Sequence, residues 1–408
     1  MPTNKLLRPT LTLLTGGALA QALPLLLGPW LTRLYSPVEF GVYHLFAAVA
    51  ANVAVVACAR YEFALPLAAD EAEARVLRRL CLLLLLATTL LCTLLAAGWA
   101  LALQAVWPAW LPLAVLLLGA LSVATLTATR ARRFKALAAA RVLHHGGGAA
   151  AQAAAGVLET GVQGLIAAPL VAVAAAALLL RWPAAGPAVS IGPPDLRAAA
   201  RRYREFPLLN SPHAFLGALQ DTASVALVAA QLGAAAAGAW GLALRYLKAP
   251  ATLVGSALSQ ALYPALAQNQ GRITRESRAM VRRAMLTLAA IATPLVLLLW
   301  AFAPALFVWA FGEPWREAGN LAQALALYIG LHFVASPLGV VTMAWRAQAW
   351  ALRLAVLGQV AFVAALAWGL QSGSLATAGW MVSGVTALYF GWYFWRLARW
   401  PLDEEGPS

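Results

Sequence analysis

The chain has 408 residues, 62% of them hydrophobic and only 11% charged, with a mean hydropathy of +0.76. A soluble protein of this length carries about 25% charged residues, so composition excludes a water-soluble domain, and the continuous, non-alternating apolar runs exclude a β-barrel. The net charge of +14 would suggest nucleic acid in a soluble chain, but the positions of the charges follow membrane topology, and no nucleic-acid partner is expected.

In chain order, twelve apolar runs can be counted, at roughly 10–32, 42–59, 80–104, 110–129, 142–158, 162–180, 207–231, 238–264, 284–310, 318–345, 351–371 and 375–396. A bilayer crossing takes about 20 residues. The first run follows only Lys5 and Arg8 and is too long for a signal-peptide core, so it is expected to be a retained span. The fifth, VLHHGGGAAAQAAAGVL, is rich in Gly and Ala, which suits close helix packing better than lipid exposure.

Basic residues alternate between the connecting segments. Counted with the N-terminus in the cytoplasm, the inner segments hold 25 of the 29 Lys and Arg, in the N-terminus, 60–79, 130–141, 181–206, 272–283, 346–353 and the C-terminal tail. The outer loops hold only Arg33 and Arg316, and Arg245 with Lys248 completes the count. This asymmetry places both termini on the cytoplasmic side and requires an even number of spans. Trp30, Trp107, Trp110, Trp182, Trp309, Trp315 and Trp400 fall at expected interfaces, as an aromatic belt would.

The segment 181–206, RWPAAGPAVSIGPPDLRAAARRYREF, reads as a Pro- and Gly-rich linker in which Asp195 would cap a short basic surface helix carrying Arg197, Arg201 and Arg204. It divides six spans from six, giving an N-terminal bundle at 1–190 and a C-terminal bundle at 191–408. A shift of 197 residues lays runs 1, 2 and 3 on runs 7, 8 and 9 and superposes FGVYHL (40–45) on AGAWGL (237–242). Two halves in the same orientation predict a pseudo-twofold axis along the membrane normal, a pattern that transporters use.

The eighth run carries the most informative pattern. Gly241, Arg245, Lys248, Thr252, Gly255 and Ser259 step by four and three, which places them on one helical face. A charge at the centre of a spanning helix costs about 2.5–3.5 kcal/mol on insertion scales, which makes an intramembrane cation a functional candidate. Snorkelling is the competing explanation for Arg245, the shallower of the two; Lys248 lies near the midplane. The face is read as the wall of a water-filled, anion-attracting cavity. The seventh run has its own polar face: Asn210, His213, Gly217, Asp221 and Ser224, with Gln220 beside it. Helix packing accounts for Gly217 and Ser224, whereas a mid-span carboxylate needs a partner or water. Asp221 and Lys248 each lie about 15 Å from the expected outer ends of their helices, so Asp221 is expected to be the counter-ion of Arg245 and Lys248 while the cavity is empty. Arg33, and Arg60 with Glu62, stand at span ends, where topological anchoring is an equally good explanation.

Other chemistry finds little support. The three cysteines, Cys58, Cys81 and Cys92, are odd in number and form no CxxC pair. His144 and His145 are adjacent and therefore diverge on a helix, with no carboxylate at ligand spacing, so no metal site is expected. No lysine follows a Gly, which removes a Walker A motif. Neither a cofactor nor an enzymatic activity is expected: the outer loops are too short for a catalytic domain.

Several segments resemble the Wzx-type oligosaccharide flippases. RLYSPVEFGVY (33–43), after a run with Gly16 and Gly17 near its start, is similar to that family's first-loop signature. RYEFALPLAADEAEA (60–74) is similar to its second-loop segment, while YREFPLLNSPHAFLGAL (203–219) and AGAWGLALRYLKAPATLVGSALSQALYPALA (237–267) resemble the start of its second half. The resemblance implies an all-α polytopic membrane protein of the multidrug/oligosaccharidyl-lipid/polysaccharide exporter superfamily, like the MATE transporters. It would have about twelve transmembrane helices in two six-helix bundles around a central cavity open alternately to each side. It further implies a bacterial inner-membrane flippase that moves undecaprenyl-diphosphate-linked repeat units from the cytoplasmic to the periplasmic leaflet for O-antigen, lipopolysaccharide or related surface polysaccharide. A polysaccharide polymerase and chain-length proteins would be its protein partners. Arg245 and Lys248 would engage the diphosphate, with Asp221, Asn210, Gln220, Arg33 and Arg60 as further substrate-binding candidates. Some relatives carry fourteen spans and this chain has room for twelve, which argues against a peptidoglycan-precursor flippase. Two other readings compete: a small-molecule or multidrug exporter of the same fold, disfavoured by two cavity cations, and a membrane enzyme of glycan assembly, disfavoured by the short outer loops.

Overall fold

The computed structural model describes residues 4–181, 193–268 and 272–403; Trp182 and the middle of the expected linker lie outside them. In these residues the chain is helical throughout its long segments. The α-helices are α1 (Asn4–Leu34), α2 (Pro37–Ala54), α3 (Glu71–Leu103), α4 (Leu111–Arg130), α5 (Phe134–Val142), α6 (Gly148–Val157), α7 (Gly161–Leu180), α8 (Pro193–Arg202), α9 (Ser211–Leu232), α10 (Ala234–Ala267), α11 (Arg275–Phe311), α12 (Arg316–Ala324), α13 (Ala326–Ala344), α14 (Gln348–Leu370) and α15 (Leu375–Ala398). Among the described residues, eight helices are apolar and long enough to cross a membrane. The other four expected runs are helical too, in α1, α5 with α6, α10 and α15. The protein is an all-α polytopic membrane protein.

Local chemistry sets the helix ends. At the start of α2 the Glu39 N–H bonds Ser36 Oγ at 3.3 Å and the Ser36 N–H bonds Glu39 Oε2 at 2.8 Å, with Pro37 in the first turn. This reciprocal cap satisfies two otherwise orphaned donors and starts the helix five residues before hydropathy alone would. Asp70 caps α3 through the Glu73 N–H at 2.8 Å. At 33 residues α3 is about 50 Å long, well beyond the ~30 Å of hydrocarbon, so its basic first turns stand in the headgroup and aqueous region. Asp195 lies in the first turn of α8 rather than at its cap, where it complements the helix dipole.

The fifth run forms one helical passage, α5 and α6 joined by a π-helical turn at Leu143–Gly147. Its small residues sit under α1. A methyl group on Gly146 would fall 2.5 Å from Leu23 Cδ1, and one on Gly156 would fall 2.9 Å from Leu34 Cβ. The Gly- and Ala-rich composition is thus a close-packing device.

Two compact units emerge, Met1–Val225 and Ala226–Ser408. The division lies inside α9. The reason is that 199–222 is tied to the first unit by side chains: Tyr61 Oη donates to Ala200 O at 3.1 Å, Tyr203 Oη to Glu73 Oε1 at 3.2 Å, and Asn52 Nδ2 to Thr222 Oγ1 at 3.1 Å. In the first unit α4 packs on α2, α3 and α7, and α1 on α5 and α6. In the second, α13 packs on α10, α11 and α15, and α14 pairs with α15. The C-terminal tail closes on the start of α11, where the Ile273 N–H donates to Asp403 Oδ2 at 2.7 Å and Arg278 Nη1 to Trp400 O at 3.2 Å.

Candidate functional site

In the first unit, α2 is followed by turns at residues 55–60 that end in two consecutive left-handed residues, Ala59 (φ 48°) and Arg60 (φ 62°). Such φ values are strained for side chains with a Cβ. They turn the chain sharply into a 3₁₀ segment at Tyr61–Leu67. The turn presents Arg60 to the start of the seventh span: its Nε donates to Asn210 Oδ1 at 3.1 Å, and its guanidinium lies 4.0 Å from the centroid of the Phe63 ring. Two sequence candidates, Arg60 and Asn210, are therefore brought together. Asn210 ends a π-helical turn, Phe206–Asn210, that leads into α9.

Beneath Arg60, Glu62 is 3% exposed, and among the described residues its Oε2 has no hydrogen-bond partner. Burial holds this carboxyl above the ordinary carboxylate range, while its backbone hydrogen bond, the Arg60 charge and Ser122 act in the opposite direction. A buried carboxyl beside a half-buried guanidinium makes this corner able to bind an anion or to change protonation.

Higher in the same unit, α9 bears Gln220, half-buried, and Asp221, exposed. The neighbouring Thr222 lies within hydrogen-bond distance of Asn52 Nδ2 (3.1 Å), Ala48 O (3.1 Å) and Ala218 O (3.2 Å). Asn52, 4% exposed on α2, is a polar residue in a span that sequence reading passed over; an isolated amide in an apolar run was the available signal. Ser224 is 1% exposed and donates to Gln220 O at 2.7 Å, so it serves helix packing. Arg33 is exposed at the end of α1. The whole of α2, 18 residues or about 27 Å, separates it from Arg60, so those two do not form one site.

In the second unit, Arg245 and Lys248 are half-buried on α10. The face predicted from spacing divides in function. Ser259 Oγ donates to Pro337 O at 3.2 Å, and a methyl group on Gly255 would come within 3.2 Å of Ser336 Oγ, so this end packs on α13. Thr252 Oγ1 turns back to Ala249 O at 2.8 Å. Around the cations, Tyr246 meets Phe311 with ring centroids 4.7 Å apart, and the fully buried Trp240 meets Phe362 at 6.3 Å. Pro250 lies inside the helix two residues after Lys248. It lacks the N–H that would bond the Tyr246 carbonyl and disfavours a straight helix there. The pairing of cations with a helix-interior proline was legible in the sequence as RYLKAP. Counted from the Gly233 turn between α9 and α10, Asp221 and Arg245 are each twelve residues away.

Among the described residues no cluster of three or more His, Cys, Asp or Glu is arranged for a metal ion. His144 and His145 stack at 4.2 Å in the π-helical turn. The three cysteines are buried and free.

Residues 30–320 match the family described as polysaccharide biosynthesis protein. No curated protein matches the chain. Among solved structures, it is similar to an inward-facing multidrug resistance MATE family transporter of the MOP superfamily, at 15% identity and a TM-score of 0.71, over 94% of each chain. It is also similar to a MATE transporter in complex with MaL6, at 14% identity and a TM-score of 0.58, over 97% of this chain and 96% of that one. A MOP superfamily transporter from Pyrococcus furiosus, whose binding pocket is described as reversed in polarity, matches at 14% identity and a TM-score of 0.54, over 98% and 97%. At these identities the likeness establishes the fold alone.

Proposed function

The chain belongs to the polysaccharide biosynthesis protein family, and we propose that it is a flippase for undecaprenyl-diphosphate-linked oligosaccharides. It would move repeat units from the cytoplasmic to the periplasmic leaflet of a bacterial inner membrane by alternating access, with both termini cytoplasmic and no covalent chemistry. The observation that carries this reading is the half-buried pair Arg245 and Lys248 inside an apolar helix. A diphosphate is the anionic part of such a substrate, and charge-assisted contacts to it are strengthened where water is excluded. Arg60 with Asn210 supplies a second cationic point, at the basic end of the first unit. A lipid tail would stay in the bilayer while the polar headgroup and sugars cross.

The decisive experiment is reconstitution into proteoliposomes with a fluorescent polyprenyl-diphosphate-linked sugar, with leaflet position read by enzymatic access. Transfer that depends on the protein and is lost in Arg245→Ala and Lys248→Ala is the expected result. Normal transfer in both variants at equal protein level would refute the anion-binding role. Export of cationic dyes with no transfer of the lipid-linked sugar would establish a small-molecule exporter instead.

A further inference from the structure

A cavity of about 170 Å³ opens in the first unit, lined by Leu65, Glu71, Ala74, Arg78, Thr127, Arg130 and Ala131. It lies where the first turns of α3 meet the last turn of α4, at the end of the unit that carries the basic segments 60–79 and 130–141. Two arginines converge on one carboxylate there: Arg78 Nη2 lies 2.5 Å from Glu71 Oε1, and Arg130 Nε 3.7 Å from Glu71 Oε2. Both arginine side chains are only 22% exposed, whereas Glu71 is 51% exposed. The lining therefore carries a net charge of +1, and its anion is the more solvent-facing member.

The surroundings identify what would replace that anion. Leu82 and Leu86 stand one and two turns along α3 from Arg78, and they are 47% and 57% exposed. Leu67, on the 3₁₀ segment beside the cavity, is 64% exposed. Exposed leucines on a spanning helix face acyl chains, so the cavity adjoins a lipid-covered surface at headgroup depth. Arginine pairs at that depth match phosphate geometry, since the guanidinium fork bonds two oxygens at once, and basic pockets between helices hold anionic headgroups.

We propose that Arg78 and Arg130 form a binding site for the phosphodiester of an anionic membrane lipid, with Glu71 as its built-in competitor. Arg130 also donates through Nη1 to Leu65 O at 3.3 Å and to Ala68 O at 2.5 Å. A bound headgroup would thus brace the 3₁₀ segment that carries Tyr61 and Glu62. Glu71 holds the two cations when no lipid is present and swings outward when one arrives. This assignment does not depend on the transported substrate.

The test uses the full chain in detergent, with added phosphatidylglycerol, phosphatidylcholine or inorganic phosphate. Native mass spectrometry counts retained lipid and thermal unfolding measures stabilisation. Phosphatidylglycerol is expected to be retained and to raise the melting temperature more than the other two. Arg78→Gln should weaken its binding about fivefold, as expected for one cation at a membrane surface. Glu71→Gln, which removes the competitor's charge, should strengthen it. Arg79→Gln, exposed on the same helix outside the cavity, should leave it unchanged. Equal retention of phosphatidylcholine, or equal loss in Arg79→Gln, would overturn the site. So would equal stabilisation by inorganic phosphate, which would make it a site for soluble phosphate, and so would unchanged affinity in Glu71→Gln. The last result stands as a test even if Arg78→Gln fails to fold.

Discussion

Arg60 and Asn210 are joined by a 3.1 Å hydrogen bond from Nε to Oδ1, across 150 residues of sequence. Arg60 makes this contact from a left-handed backbone conformation, which costs a residue with a Cβ about 1–2 kcal/mol. Strain of that kind persists where the surroundings hold it and is concentrated at functional sites. The pair thus ties the end of the second span to the start of the seventh through a side chain that is also a candidate for binding anionic substrate.

Two substitutions at this position separate backbone from side chain. Arg60→Ala keeps the strain and removes the guanidinium; Arg60→Gly removes both. Arg60→Gly should be the more stable of the two by about 1 kcal/mol, measured by thermal unfolding in detergent, and both should lose transport. If Arg60→Gly restored transport, the backbone turn and not the guanidinium would be what function requires. Asn210→Ala should reduce transport less than either, because Arg60 keeps its charge and its contact with Phe63.

Glu62 gives a pH prediction with a definite sign. Its carboxyl is held above the ordinary range by burial, so the folded chain binds its proton more tightly than the unfolded chain does. Stability is then greatest below the ordinary carboxylate pKa and declines as pH rises through the raised value. Glu62→Gln keeps the shape and removes the titration. The variant should be more stable than the parent at about pH 7.5, by roughly 1–3 kcal/mol for an incompletely satisfied buried group. It should match the parent near the ordinary carboxylate pKa of about 4.3. A parent whose melting temperature rose with pH over this interval, with Glu62→Gln flat, would show that the carboxylate is stabilised by a partner.

The contrast between Arg60 and the spans shows which features the sequence discloses. Hydropathy located every long helix, because about 20 apolar residues in lipid leave the backbone only one way to satisfy its hydrogen bonds, but it started α3 and α11 nine residues late. It misplaced the ends of α2. Ser36, Pro37 and Glu39 start that helix early, a cap that could be read locally. The helix ends at Ala54, where three-residue turns take over (Val56 N–H to Val53 O, Ala57 N–H to Ala54 O) ahead of the left-handed Ala59 and Arg60, and no residue there advertises either change. The face on α10 was half legible: spacing identified it, but only packing distinguishes Ser259, bonded to α13, from Arg245 and Lys248. Contacts such as Asn52 to Thr222 join residues with no periodic relation, and they hold the first part of α9 to the first unit.

Topology can be tested by single cysteines, since the native three are buried. Gln104→Cys and Ser372→Cys lie in exposed turns, and Arg132→Cys and Arg275→Cys lie on exposed basic segments. An impermeant maleimide applied to intact cells should label the first two and label the others only after permeabilisation. Labelling of Arg132→Cys or Arg275→Cys from outside would invert the orientation drawn from the basic residues.

The final prediction concerns Asp221 and the two cations of α10. Sequence spacing put Lys248 level with Asp221, on the assumption that the helix starts near Gly238. It starts at Ala234, after Gly233 with φ 86°, so Arg245 is the residue as far along its helix from that turn as Asp221 is along its own. We predict that the charge of Asp221 is coupled in energy to that of Arg245 more strongly than to that of Lys248. Asp221 is exposed and Arg245 half-buried, so such a pair is worth at most about 1 kcal/mol. Asp221→Asn should therefore lower the melting temperature, and Arg245→Gln on that background should recover part of the loss. Lys248→Gln on the same background should recover none. An anion that competes with Asp221 for Arg245 would favour one conformation over another only through that difference in contacts, so Asp221→Asn should also tighten binding of a diphosphate-bearing lipid while slowing its release. Additive stability losses in Asp221→Asn with Arg245→Gln would mean that the two charges are independent. In that case the competition between carboxylate and diphosphate would have to be abandoned.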